Sequence, residues 1–158
     1  MQPIVKMRRL NDAALGAPGR SGLPLPQYQT DGAAGFDLAA ALAEGEVVTI
    51  HPREVVLIHT GFTMEIPAGF EGQIRARSGM AAKNRIIPIN GPGTLDSDYK
   101  GAVLVAAYNA GDEPFNITRG MRIAQVIIAP VARAMIQEAF DDAPETARGA
   151  GGFGSTGT

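Results

Sequence analysis

The 158-residue sequence contains no cysteine, so it has no disulfide framework, no thiolate zinc site and no cysteine nucleophile. The same absence excludes the zinc-dependent nucleobase deaminases, whose metal is held by cysteine thiolates. Charge of one sign is also scarce. Fourteen Lys and Arg stand against sixteen Asp and Glu, a formal net charge of -2, whereas a general nucleic-acid binder carries a basic excess or stripe. Any anion site must therefore be assembled locally, and no nucleic-acid partner is expected. Nowhere is there an apolar run of about 18 residues, the length a membrane-spanning helix needs. Near the start, KMRRL runs into NDAALGAPG rather than into an apolar stretch, so no signal peptide is read. A soluble, cytoplasmic protein without a membrane partner is expected. The sequence has no internal repeat.

Turn formers are what the chain has instead. Twenty glycines and eleven prolines are scattered along it, leaving segments too short for a helical bundle. Strands are expected over 47–50, 55–60, 70–75, 86–89, 103–108 and 123–129, punctuated by Pro52, Pro67, Pro92, Pro114 and Pro130. Many short strands with frequent turns point to a sandwich, jelly roll or barrel. Length allows about one domain, drawn over 1–140 with 1–23 as a flexible lead-in. After Phe140 the pattern dissolves into the glycine-rich stretch 141–158. One short helix is expected over 78–84, with Ser78 as N-cap and Asn84 able to take a left-handed C-cap.

Three segments carry more chemistry than their turns need. Residues 90–108 read NGPGTLDSDYKGAVLVAAY, interleaving Leu95 and Tyr99 with Asp96 and Asp98 ahead of an apolar strand. That mixture suits a small-molecule pocket, although an ordinary hairpin explains most of these residues through turn chemistry. At Arg77-Ser78-Gly79 an arginine, a hydroxyl and a helix start converge, an arrangement that receives phosphate oxygens, while an exposed arginine beside a helix cap explains these residues equally well. In the tail, Arg148 precedes Phe153, Ser155 and Thr156. Arginine and hydroxyls bind phosphate and an aromatic stacks on a base, while a loose terminus is the plainer reading of that composition.

Taken together the sequence resembles the homotrimeric deoxyuridine triphosphate nucleotidohydrolases, the dUTPases, through five motifs in order. They are Ala34-Gly35-Phe36-Asp37-Leu38, Arg77-Ser78-Gly79, the stretch from Asn90 to Tyr99, Arg119-Gly120-Met121-Arg122-Ile123-Ala124-Gln125, and the stretch from Arg148 to Gly157. Any one is weak, but five in sequence at compatible spacing are highly specific. The resemblance covers residues from about 24 to the end. It implies an all-β, jelly-roll-like β-clip fold with one short helix and a flexible C-terminal arm. It also implies a Mg2+-dependent hydrolysis of dUTP to dUMP and pyrophosphate, which limits uracil incorporation into DNA and supplies dUMP for thymidylate synthesis.

The same resemblance assigns roles. Asp96 orients and deprotonates the water that attacks the α-phosphorus, and an aspartate is already ionised at neutral pH. Asn90 and backbone groups near Leu104 read the uracil edge, so a base with donor and acceptor exchanged leaves buried groups unpaired. Tyr99 lies against the deoxyribose, and Gly93, Thr94 and Leu95 offer backbone contacts. Arg77, Ser78, Gly79 and Gln125 hold the α- and β-phosphates. Arg148, Ser155 and Thr156 close on the γ-phosphate, Phe153 covers the base, and Gly154 is a further substrate contact. No direct protein ligand to Mg2+ is implied; Asp37 either faces the ion's water or braces Arg77.

Departures from the family pattern are Ala76 in place of a proline, Arg85 in place of a glycine, and Pro88 within a strand, which suggests an edge or bulge. A deoxycytidine triphosphate deaminase of the same fold needs a glutamate at the position of Ala106, which cannot shuttle a proton. A nucleotide-binding regulator without turnover is the other rival, and the intact Asp96 argues against it.

Overall fold

The computed structural model describes residues 2–142 and 144–152. Its strands are β1 (Lys6–Arg9), β2 (Phe36–Ala39), β3 (Val47–Ile50), β4 (Val55–Glu65), β5 (Phe70–Arg75), β6 (Ile86–Pro88), β7 (Gly93–Leu95), β8 (Ala102–Asn109), β9 (Phe115–Thr118) and β10 (Arg122–Pro130). They form two four-stranded sheets, ordered β1-β4-β8-β6 and β2-β10-β5-β7, and a ribbon of β3 with β9. Every ladder is antiparallel. The all-β, jelly-roll-like expectation therefore holds.

Strict alternation is clearest in β8, where Val103, Val105, Ala107 and Asn109 turn inward and their neighbours outward. These side chains meet Leu38, Ile50, Ile58, Ile117, Ile123 and Val126 in the main core, each large aliphatic group contributing about 1.5–3 kcal/mol by leaving water. The one amide in this layer is paired. Asn109 Nδ2 donates to the carbonyls of Ile50 and Glu113 at 2.9 and 2.8 Å, and its Oδ1 accepts from Gly111 N–H at 2.9 Å. An unpaired amide there would cost about 1–3 kcal/mol.

The alternation breaks once in β4. Its register with β8 shifts between His59 and Thr63, around Gly61 at φ 85°. Beyond the shift Phe62 packs into a second cluster with Leu15, Leu23 and Ala41. Residues 1–23 were expected as a flexible lead-in. Instead, β1 pairs with β4, and Leu15 is 1% exposed. Composition alone misjudges this segment, because two leucines and one strand suffice to anchor a loop rich in Gly, Ala and Pro.

Local expectations are refined at the helix. The turn is a π-helical Met80–Asn84 preceded by two helical residues. The Arg77 carbonyl accepts from Ala81 N–H at 2.9 Å, so Ser78 lies inside the turn and makes no capping bond. The left-handed residue is Arg85, at φ 59°, not Asn84. Ala110 N–H donates to the Arg85 carbonyl at 2.8 Å, which holds a conformation that glycine would adopt more cheaply. Pro88 closes β6, an edge strand of its sheet, where its missing N–H costs no ladder bond.

Candidate active site

Three of the sequence motifs meet on one sheet. In the register, Asp37 on β2 faces Gln125 on β10, and Gln125 faces Arg75 on β5, so these three side chains share the outward face. Arg77 follows two residues after the end of β5. Its Nε donates to Asp37 Oδ1 at 2.8 Å, and Arg122 Nη1 donates to Asp37 Oδ2 at 3.0 Å. Arg77 Nη1 also donates to the Arg122 carbonyl at 3.1 Å, and Gln125 Nε2 to the Ala76 carbonyl at 2.9 Å. Asp37 is largely covered, its side chain 15% exposed. Charge-assisted bonds in that setting fix both guanidinium groups in direction. Of the two roles read for Asp37, bracing Arg77 is the one its bonds display.

Arg122 was not singled out from the sequence. It sits inside the fourth motif, but only the register of β2 on β10 reveals that its side chain reaches Asp37. The remaining N–H groups of Arg77 and Arg122 stay available on a half-exposed surface, an arrangement able to receive several phosphate oxygens.

The 90–101 segment is built differently. It was read as a hairpin, but β7 pairs with β5 while β8 pairs with β4 and β6. The chain thus crosses from one sheet to the other between the two strands. Leu95 was read as apolar lining for a pocket; its side chain is instead 7% exposed and joins the main core. Between the buried Gly93 and Leu95, Thr94 is exposed. Gly93 is tightly placed, since a Cβ there would come 2.8 Å from Asn90 Nδ2. Asn90 is exposed, with its amide resting against this glycine.

Tyr99 is 42% exposed, and its hydroxyl donates to the Ala102 carbonyl at 2.9 Å. Gly101 lies beneath the ring, where a Cβ would come 2.6 Å from Cζ. Asp96 is exposed, its carbonyl accepting from Tyr99 N–H at 3.1 Å. Its carboxylate makes no hydrogen bond among the described residues. Leu104 is half-buried on β8 opposite His59, and Ala106 lies on the same outward face of that strand. Ser78 and Gly79 are exposed beside Arg77.

No hydrogen bond joins Asn90, Asp96 or Tyr99 to the Asp37, Arg77 and Arg122 cluster among the described residues. Arg148 stands apart as well, its Nε donating to the Gly151 carbonyl at 2.9 Å within the tail. Phe153, Gly154, Ser155 and Thr156 lie outside the described residues. The described residues contain no group of three or more His, Cys, Asp or Glu able to cage a metal ion. None of their helices is long and apolar enough to cross a membrane.

Comparison with known proteins places the chain in a family. The dUTPase family model matches residues 22–157. Deoxyuridine 5'-triphosphate nucleotidohydrolases of Rhizobium rhizogenes and Rhizobium meliloti are 59% and 60% identical over 141 residues, covering 89% of this chain and 89% and 88% of theirs. Among solved structures, the Staphylococcus bacteriophage 80alpha dUTPase with dUpNHpp superposes with a TM-score of 0.79 at 23% identity, covering 98% of this chain and 99% of that one. The shared fold, the high identity to the rhizobial proteins and the ordered motifs lead to one conclusion: the chain belongs to the dUTPase family, the deoxyuridine 5'-triphosphate nucleotidohydrolases.

Proposed function

We propose that the protein hydrolyses dUTP to dUMP and pyrophosphate by attack of an Asp96-activated water on the α-phosphorus. The observation that carries this reading is the convergence of three separate motifs on Asp37, which leaves two oriented guanidinium groups facing outward. Arg77 and Arg122, with Ser78, Gly79 and Gln125, hold the α- and β-phosphates. Their preset directions limit the reorganisation needed as charge develops on the phosphorus oxygens. Asp96 suits the complementary task, because its carboxylate has free lone pairs with which to orient a water and accept its proton. A free aspartate is a weak base, so in-line positioning supplies most of the rate.

Asn90 reads the uracil edge with backbone groups near Leu104, and Tyr99 excludes a 2'-hydroxyl from the sugar's place. Gly93, Thr94 and Leu95 contribute backbone contacts. Arg148, Phe153, Gly154, Ser155 and Thr156 close over the bound nucleotide and exclude water. The wider role is to limit uracil incorporation into DNA and to supply dUMP for thymidylate synthesis, in the cytoplasm.

The donor set fits Mg2+ carried by the triphosphate and water rather than by the protein. Both Asp37 oxygens are engaged by arginines, leaving one lone pair on each to face a metal-bound water. Bound in this way the ion supplies charge neutralisation on the phosphate oxygens. A phage phi11 dUTPase structure describes a structural Mg(II) ion.

The active form is a homotrimer with sites shared between subunits. Supporting this, the 131–140 segment runs outside the sheets with Met135, Ile136 and Phe140 at least 89% exposed, surface that a neighbouring subunit would cover.

Deamination of dCTP is disfavoured by Ala106, which has no proton to move. Incubation with dUTP, dCTP, dTTP and UTP plus Mg2+ tests the reading. Pyrophosphate should appear from dUTP far faster than from the others. Its absence, or ammonia from dCTP, would overturn the assignment.

A further inference from the structure

The family match begins at residue 22, yet the chain before it is tied to the phosphate cluster through one side chain. Asp12 gathers the loop it belongs to, accepting from Gly19 N–H at 2.8 Å and Ser21 N–H at 2.7 Å. Leu15 and Leu23 anchor the same loop in the second cluster. The loop presents three successive carbonyls to Arg119. Nη1 of Arg119 donates to those of Gly19 and Arg20 at 3.0 and 3.2 Å and also reaches Leu42, while Nη2 donates to Ser21 at 2.6 Å.

Arg119 opens the turn between β9 and β10, and this turn is not fixed by regular pairing. Gly120 sits at φ 75°, and the register of β10 on β2 slips between Arg122 and Ala124. Two backbone bonds to Ala40, the turn's own bond from Met121 N–H to the Thr118 carbonyl and the Arg119 clasp hold it. Arg122 emerges from this turn, offering its side chain to Asp37 and its carbonyl to Arg77. A displaced turn would therefore misdirect both guanidinium groups.

We propose that Arg119 is a positioning residue for the phosphate cluster, using the loop of residues 12–21 as the fixed body from which it sets the place of Arg122. The proposal rests on the dUTP-hydrolysis reading for the identity of the ligand. It assigns the segment outside the family match a role in substrate affinity.

The test measures the Kd of inorganic triphosphate with Mg2+ by calorimetry, the KM and kcat for dUTP, and the melting temperature. Arg119→Met removes every donor and keeps the stem. Its Kd and KM should rise about tenfold while kcat stays within about twofold, because ground-state and transition-state binding of phosphate are lost together. Arg119→Lys, which restores some donors, should bring Kd back to within about threefold of the wild type. If Arg119→Met does not fold, Asp12→Asn loosens the loop from its other side and should raise Kd about twofold. A lowered melting temperature with unchanged Kd would reduce Arg119 to a structural residue and overturn the proposal, as would an unchanged Kd in Asp12→Asn where that variant stands in. A shifted Kd in a protein that releases no pyrophosphate from dUTP would overturn the activity and leave the positioning role intact.

Discussion

The phosphate cluster and the 90–101 segment solve opposite problems. Asp37, Arg77 and Arg122 are already bonded to one another, each Asp37 oxygen meeting one guanidinium at 2.8 or 3.0 Å. Asp96 is exposed and its carboxylate is unengaged among the described residues. Groups that neutralise charge act best when their directions are set in advance, because little reorganisation remains for the reaction. A group that must take a proton needs the reverse, with lone pairs left open to a water. On the proposed function the two regions divide binding from proton transfer, and substitutions should separate them.

The largest effect is expected at Asp96. Asp96→Asn should lower kcat about a thousandfold or more while leaving KM for dUTP nearly unchanged; steady-state pyrophosphate release measures both, and near-normal turnover would remove Asp96 from its role as base. Asp37→Asn should act on the other side of the division. It leaves Arg77 and Arg122 side by side without an anion between them, and kcat/KM should fall about a hundredfold, chiefly through KM. An unchanged KM would mean that the two arginines hold their directions unaided.

A smaller change should touch selectivity alone. Gly101→Ala would set a Cβ 2.6 Å from Tyr99 Cζ, pushing the ring aside, so the preference for dUTP over UTP should drop about tenfold. Competition between the two nucleotides measures this, and intact preference would detach Tyr99 from sugar recognition. The smallest effect lies outside both regions. Hydrogen bonds from the Ser21 side chain and then the Gly19 amide hold the Asp12 carboxyl down to about 2, from an ordinary 3.8. The unfolded chain therefore binds the proton first, so this contribution is present above 3.8 and is lost as pH falls toward 2. Asp12→Asn should flatten the fall in melting temperature across that window, by a small amount because the group is exposed.

Much of this was legible in the residues. The strands expected over 47–50 and 70–75 form with those bounds, because the turn formers that flank them act locally. Three strands escaped. Asp37, Gly93 and Asn116, of types depleted in sheets, interrupt the three or four residues of β2, β7 and β9. β1 hid in a segment whose composition suggested a loose end, and a single register shift in β4 gave Phe62 its place beside Leu15. At the site, Asp37, Arg77 and Gln125 were legible as motif members. Arg122 was a motif member too, but its pairing was not legible, since nothing in its local spacing says that it shares a carboxylate with Arg77.

The sequence by itself determined which chemical groups the protein owns: no thiol, an aspartate and a tyrosine in one glycine-rich loop, and five motifs in order. These follow from residue identity and short-range turn chemistry, which need no fold to read. Tertiary structure decided which groups meet. Asp37 joins Arg77 across 40 residues and Arg122 across 85. It does so because β10 pairs with β2 on one side and β5 on the other, and such pairing depends on long-range hydrogen bonding that local spacing does not encode.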